Sequence, residues 1–408
     1  MNKHLLPSLI VAALLAVGIA AQADMLPLSQ QQAQGLYINS AGVDTSTGSV
    51  GTSNPGGGLV AKDSAGVDWV LQPKDDGTSR WSKKDHMPLI MMPLMDNLDY
   101  YDQGGRKGTA TFTRTSSAWY RNTTGAWTAA PANTPRFGFE NVSTTAGWKW
   151  QKQGYLSENP ATNYALYSQG PSTQTVYLAA ASYTLWVEGA GSCAVASSPM
   201  SGALGSGWGT ATASSPVYLT VTSQGNVDLT VSGSLSFIQL ENSVRQTSAI
   251  VTNGTPVTRA QDLLYLPATG LMNDAEGTVS MKYRPYVGGP LTSSPYWLHM
   301  FGSEVSPYAY VFARSLSQNF LYSQDGTNGM TLSVTWTRKQ YRLACTWSGS
   351  TRKLYNSTDG TSASGTFDGN WNFTSNIYVG KATAAAAGYV QDVRIFDKAL
   401  TDSEVGAL

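Results

Sequence analysis

Along much of the chain, apolar residues recur at every second position. That spacing puts one face of a strand in a core and the other in solvent. Tyr183, Leu185 and Val187 share a face, as do Val217, Leu219 and Val221, and then Val227, Leu229 and Val231. Farther on, Val279, Met281 and Tyr283 alternate with Ser280, Lys282 and Arg284. Leu332, Val334 and Trp336 repeat the pattern, and Tyr341, Leu343, Cys345 and Trp347 extend it to four steps. Gly, Ser and Pro clusters separate these runs. Ser323-Gln324-Asp325-Gly326 and Thr358-Asp359-Gly360 supply turns. The two groups of strands predict an all-β chain with consecutive antiparallel β-sandwiches over residues 108–264 and 265–408. Thr401-Asp402-Ser403-Glu404 has the form of a capping box and predicts a short final helix.

Before residue 108 the pattern changes. Lys3, an apolar run from Leu5 to Ala20 broken by Pro7, and Ala21-Gln22-Ala23 make residues 1–23 an apolar leader. It reads as a signal peptide or as a packing helix, and Met25 offers a second start. Residues 24–107 predict an irregular attachment or assembly region, with loop chemistry from Ser40 to Gly58. Within it Met87 to Leu98 is apolar and Met-rich, Pro88 and Pro93 oppose a helix, and the segment is expected to pack against another chain or domain.

Composition narrows the function classes. A chain of 408 residues suits two or three domains. Lys+Arg and Asp+Glu each number 26, so no basic excess speaks for nucleic acid. The 21 Tyr and 12 Trp either fill sandwich cores or stack on sugar rings. Cys193 and Cys345 fall in different predicted sandwiches and are expected as buried free thiols. Only His86 and His299 follow the leader as imidazoles, and neither a nucleophile elbow nor a phosphate-binding loop is present. Carboxylates that a glycosidase would need, such as Glu158, Glu188, Glu241 and Glu304, are scattered without a pairing motif. Ser323-x-Asp325-Gly326 comes near a sialidase Asp-box, with its glycine one place early. Asp325, Asp359 and Asp368 lie in turn-like segments and are the candidate ligands for calcium, the one candidate cofactor. Trp297, Tyr308, Tyr310, Trp371 and Phe373 are the candidate carbohydrate-binding aromatics.

Two family resemblances rest on particular residues. Gly388, Asp392, Val393, Arg394, Ile395, Phe396, Asp397, Ala399, Leu400 and Glu404, preceded by Ile377-Tyr378-Val379-Gly380, resemble the closing strands of the laminin-G-like jelly roll of the concanavalin superfamily. A second set runs through Arg114, Ser116, Ala118, Tyr120, Pro135-Arg136-Phe137, Gly154, Leu156, Glu158 and Thr162-Asn163 to Gln239-Leu240-Glu241 and Thr258-Arg259-Ala260. It is similar to a carbohydrate-binding-like module of tailed-phage virion proteins. Here the chain departs from the pattern at Gly138-Phe139-Glu140 and carries an extra Trp148-Lys149-Trp150. The resemblances imply two consecutive antiparallel β-sandwich (jelly-roll) domains after the irregular N-terminal region. They also imply a non-enzymatic phage or prophage virion structural protein, a fibre, tail or head-decoration component that adheres to a host surface. A secreted bacterial lectin or adhesin is the alternative, and a polysaccharide-cleaving enzyme the weaker one. Implied partners are other virion proteins, further copies of the chain (a trimer among the options) and a host surface glycan, with no nucleic acid. The implied location is the virion, or else secreted and extracellular.

Overall fold

The structure is a computed structural model. It describes strands between residues 36 and 83 and then residues 88–408, except 103–106, 145–146, 268–272, 287–295, 304–308, 316–318, 326–327, 338, 370, 372–375 and 384–386. The leader and Met25 lie outside the described residues. The chain divides into two compact units, residues 1–88 with 101–107, and residues 89–100 with 108–408.

The first unit holds β1 (Leu36–Ile38), β2 (Asp44–Thr45), β3 (Gly48–Ser49), β4 (Val60–Asp63), β5 (Asp68–Pro73) and β6 (Ser79–Lys83). β1, β4, β5 and β6 form an antiparallel sheet in that order, and β2 pairs with β3. Strands therefore occur inside the region expected to be irregular.

From residue 90 come β7 (Ile90–Met92), β8 (Asp99–Asp102), β9 (Lys107–Thr109), β10 (Thr111–Thr113), β11 (Ala118–Arg121), β12 (Trp127–Ala130), β13 (Phe137–Thr144) and β14 (Gly147–Glu158). Next are β15 (Ala161–Asn163), β16 (Gln174–Leu178), β17 (Ala181–Ser197), β18 (Leu204–Ser206), β19 (Gly209–Thr212), β20 (Val217–Ser223), β21 (Gly225–Glu241) and β22 (Val257–Arg259). The rest are β23 (Leu263–Pro267), β24 (Glu276–Pro285), β25 (Tyr296–Ser303), β26 (Ala309–Ser315), β27 (Asn319–Asp325), β28 (Asn328–Ser333), β29 (Tyr341–Ser348), β30 (Thr351–Asn356), β31 (Thr361–Thr366), β32 (Asn376–Thr383), β33 (Ala387–Phe396) and the helix α1 (Asp402–Gly406). The all-β expectation holds.

A seven-stranded sheet, β10-β23-β32-β25-β26-β27-β28, packs on a ten-stranded one whose main run is β31-β30-β29-β24-β33-β7. Their shared core takes Val279, Met281, Tyr283, Tyr341, Leu343, Cys345 and Trp347 from one sheet and Leu264, Leu266, Leu321, Ile377 and Val379 from the other. The period-2 runs explain the fit. Val279 lies opposite Cys345, Met281 opposite Leu343 and Tyr283 opposite Tyr341, so each pair drives the same face inward. Trp336 closes one end edge-on, 5.8 Å from Tyr283 and 4.9 Å from Tyr341.

The eight-stranded sheet, β18-β20-β17-β21-β15-β22 with β16 on β21 and β19 on β17, encloses a second core around Leu185, Val187, Cys193, Leu219, Leu229 and Leu240. β17 and β21 pair from Thr184↔Glu241 to Ser197↔Val227, with an irregularity between Glu188 and Gly189. There Gly189 takes φ +110°, and a Cβ would strike Ser234 O. Both cysteines are buried and neither forms a disulfide, and burial pushes the Cys193 thiol up to about 12.

Strands from both sides of residue 264 share the first sandwich. β14 pairs with β33, as Tyr155↔Val390 and Leu156↔Tyr389, and β10 pairs with β23. β7 joins β33, which places the Met-rich segment's Ile90 and Met92 in this core. β15 to β22 thus form a sandwich inserted between β14 and β23. The capping box at Thr401 is made, with Thr401 N donating to Glu404 Oε2 (2.7 Å) and Glu404 N to Thr401 Oγ1 (3.3 Å). Among the described residues no helix is long and apolar enough to cross a membrane.

Candidate functional site

The predicted sugar-stacking residues do not share one site among the described residues. Trp371 is corrected to a core residue. It is 3% exposed, with its ring 4.4 Å from Trp347 and 5.5 Å from Phe367, so neither face is open to a ligand. Trp297 lies on β25 opposite Arg314 and Tyr310 on β26 opposite Gly302, with side chains outside the described residues. Tyr308 and Phe373 are also outside them.

Of the calcium candidates, Asp325 ends β27 opposite Asn328, and its side chain is not described. Asp359 accepts from Lys339 Nζ and from Asn356 Nδ2 (2.8 Å), which is turn chemistry. Asp368 is exposed. Among the described residues no three His, Cys, Asp or Glu side chains come together as a metal site.

Glu158 and Glu241 lie where the two sandwiches meet, both fully buried. Arg136 Nη1 donates to Glu158 Oε2 (2.7 Å), and its Nη2 donates to Asp262 Oδ2. Arg114 Nη1 donates to Asp262 Oδ1 (2.8 Å), and Arg259 Nη1 is 2.9 Å from Glu158 Oε2. Ser248 N also donates to Glu158 Oε1 (2.7 Å). Burial would raise the Glu158 carboxyl, but Arg259, Arg136 and the Ser248 bonds hold it below the ordinary range. Burial likewise opposes the charge on Arg136, and Asp262 with Glu158 more than offsets it. Glu241 has weaker help. Its Oε1 accepts from Trp186 Nε1 (2.9 Å) and Thr247 N (2.8 Å), yet burial dominates and pushes it to about 7. This network ties β14 and the 262 region to β21 and β22, and it leaves no carboxylate facing solvent.

Above the network lies an aromatic surface. The β11–β12 hairpin turns on Asn122, whose Oδ1 accepts from Thr124 N (3.0 Å) and Ala126 N (3.0 Å). Its Trp119 and Trp127 are half-buried against Trp186, Phe237 and Ala249, and Arg121 is half-buried beside them. The Arg121 guanidinium lies 3.8 Å from the Trp127 ring centroid and 5.9 Å from that of Trp150. Gly125, at φ +81°, lets Trp150 approach, since a Cβ there would run into the indole. Glu188, on β17, accepts from Arg121 Nη2 and from Trp127 Nε1 (3.1 Å). Below, Trp127 is 6.3 Å from Trp186, and Trp186 is 5.1 Å from Phe237. Two steps along β14, on the face of Trp150, Trp148 is 71% exposed. Flat apolar faces beside a partly exposed arginine–glutamate pair can stack on a sugar ring and hydrogen-bond its hydroxyls.

In the sequence Trp148-Lys149-Trp150 stands out only as a departure from a family pattern. Its signal was chemical: two tryptophans two apart, with Lys149, Gln151 and Lys152 around them, put aromatic rings on a strand with no apolar alternate face. Trp119, Arg121 and Trp127 carried no comparable signal.

No protein-family profile and no curated protein matches the chain. Solved structures do match, among them Trypanosoma rangeli sialidase with 2,3-difluorosialic acid as a covalent intermediate, at 10% identity and TM-score 0.26, covering 88% of this chain and 61% of that one. The same sialidase with the inhibitor DANA matches at 12% identity and TM-score 0.25, over 88% of this chain and 69% of that one. Its complex with sialic acid matches at 11% identity and TM-score 0.24, over 87% and 68%. The chain spans about 61% of the length of the first of these. The expectation of a non-enzymatic phage or prophage virion component is corrected on this finding, because the structures matched are sialidases and not virion proteins. At such TM-scores the likeness carries no argument about this chain's own activity.

Proposed function

We propose that the chain binds carbohydrate through Trp148 and Trp150 of β14, next to the β11–β12 hairpin, without chemistry on the sugar. The observation that carries this reading is Trp148, 71% exposed and two residues along β14 from Trp150, whose ring lies 5.9 Å from the Arg121 guanidinium. A sugar ring laid on this exposed indole would take its apolar area out of water. The non-catalytic part is supported by Glu158 and Glu241, which are enclosed in protein hydrogen bonds where no glycosidic bond can reach. The laminin-G-like and carbohydrate-binding-like resemblances fit the same reading.

The test is affinity electrophoresis through gels containing neutral polysaccharides, dextran, galactan and mannan, followed by titration of tryptophan fluorescence. At least one polymer should retard the protein. Trp148→Ala and Trp150→Ala should each weaken that binding roughly tenfold, as loss of one ring stack of about 1–3 kcal/mol implies. Unchanged affinity in both variants would place binding elsewhere. Release of reducing ends from the bound polymer would overturn the non-catalytic part.

A further inference from the structure

The inserted sandwich of β15 to β22 is almost free of charge. Between Asn159 and Leu240 the chain carries Glu188 and Asp228 and neither lysine nor arginine, whereas charged residues make up 13% of the whole. Both acids are engaged within the molecule, Glu188 with Arg121 and Asp228 as acceptor from Thr175 Oγ1 (2.6 Å). Scattered lysines and glutamates are the usual means by which a β-sandwich keeps its surface from associating, and this stretch lacks them.

One end of the sandwich also exposes apolar side chains. There β17 ends at Ser197, and residues 198–203 cross to β18 beside the corner from Ser223 to Asn226 that joins β20 to β21. Backbone bonds fix the crossing. Asn226 N donates to Ser201 O (2.9 Å), and Asn226 O accepts from Ser198 N (3.2 Å) and Ala203 N (3.0 Å). Ala203 is buried in the core, and Ser201 takes φ +54°, a strained conformation for any residue with a side chain. Held in this way, Met200 is 81% exposed. Leu204, opposite Ser223, is 65% exposed, and Tyr177, opposite Asn226 on β16, is 57% exposed. Val176 and Leu178 fill the core, so β16 turns Tyr177 outward. Exposed Pro199, Ser201, Thr222, Ser223 and Gln224 occupy the same loop and corner, and none is charged.

We propose that this end is the interface through which the chain pairs with a second copy of itself about a two-fold axis. Charge selects the partner. Identical uncharged patches meet without the like-charge repulsion that opposes self-association, while an acidic or basic protein finds no complement here. A bilayer fits less well, since membrane-docking surfaces add lysine or arginine for the headgroups, and this end has neither. Area agrees. Met200, Leu204 and Tyr177 together expose apolar surface on the order of 300 Å², comparable to the largest patch on an ordinary monomer. That suffices for the apolar centre of an interface of roughly 800 Å² on each copy, with the Ser, Thr and Gln side chains as its polar rim. Met and Tyr are enriched in such centres, and lysine is depleted. Pairing does not depend on the carbohydrate reading, and it gives each assembly two copies of whichever surface binds.

The test is sedimentation velocity of the full chain over a concentration series. A reversible dimer should form. The double variant Met200→Lys with Leu204→Lys should raise its dissociation constant roughly tenfold or more, as loss of a central apolar contact does, while near-ultraviolet circular dichroism stays that of the parent. Should the double variant fail to fold, Met200→Lys alone, on an exposed loop, should still weaken pairing. Met200→Leu keeps the patch apolar and should pair as the parent does. Trp148→Ala with Trp150→Ala should leave pairing unchanged, so loss of sugar binding and loss of pairing are read separately. Pairing through this end is overturned if the chain stays monomeric at every concentration, or if the folded Met200→Lys variants pair as the parent does. It is overturned too if the parent floats with vesicles of neutral phosphatidylcholine and these variants do not, which would assign the end to a bilayer.

Discussion

Glu241 is a carboxylic acid enclosed by hydrogen-bond donors, and it still titrates near neutrality because burial outweighs them. The sign of its effect on stability follows. An acid raised from 4.5 to about 7 binds more protons folded than unfolded between those values. Stability from this group is therefore greatest below pH 4.5 and is lost as pH rises through about 7. Glu158 and Asp392 act oppositely and lower on the scale. Both are held below their ordinary values by neighbouring cations, so what they contribute is lost only as acid is added. Glu241→Gln keeps an acceptor for Trp186 and Thr247 and removes the titration. Its urea midpoint should gain on the parent's between pH 5 and pH 7.5, and a constant difference between the two proteins would refute the argument. Arg136→Met, by contrast, strips Glu158 and Asp262 of their shared partner at the centre of the network, and should cost about 3–5 kcal/mol in denaturant titration. None of this geometry was legible in the sequence. Arg114, Arg136 and Arg259 lie far from their acids along the chain, and no local spacing announces pairs closed by tertiary folding. Trp371 misled for a related reason: a tryptophan in a turn-rich segment reads as exposed until the neighbouring rings are known.

The strands themselves were the legible part. The alternation in β24 and β29 predicted which side chains face inward, because a residue period of two admits only two faces. What alternation does not encode is where a strand bends or leaves its sheet. β14 pairs with β33 only from Tyr155 onward, and before that it runs with β13 alone. The departure occurs at Gly154, which takes φ +89° with Val390 O 2.7 Å and Leu94 O 3.0 Å from where a Cβ would be. Gly154→Ala should therefore destabilise by about 2–4 kcal/mol, from left-handed strain and from overlap with fixed backbone atoms together. Thermal unfolding followed by circular dichroism measures this. A loss below 1 kcal/mol would mean that the hairpin adapts, and the angle of Trp148 and Trp150 would then be set by something other than this bulge.

The linear pattern puts a boundary near residue 264, since turn-rich segments and two sets of alternating strands are all that it can offer. That β7, β10, β14 and β23 return to the C-terminal sheets is not encoded locally, because strand pairing across more than a hundred residues leaves no local trace. That topology makes a fragment of residues 265–408 incomplete. It lacks Ile90, Met92, Leu94, Leu98, Tyr155 and Leu264, all buried in the shared core. At about 1.5–3 kcal/mol for each large apolar side chain, the loss is comparable to the roughly 5–15 kcal/mol by which a domain is stable at all. It also leaves β33 without β7 and β14 on one side, so a central strand becomes an open edge. Residues 159–261 keep their own core, and lose Arg114, Arg136, Glu158 and Asp262 of the ion network together with the β11–β12 hairpin packed on Trp186 and Phe237. The 159–261 fragment should fold alone and melt below the full chain. The 265–408 fragment should aggregate or lack near-ultraviolet dichroism, and co-expression with residues 89–158 joined to 263–267 should restore it. A cooperative melt from 265–408 alone would mean that its two sheets close without those strands, and that β7 and β14 are additions to a finished sandwich.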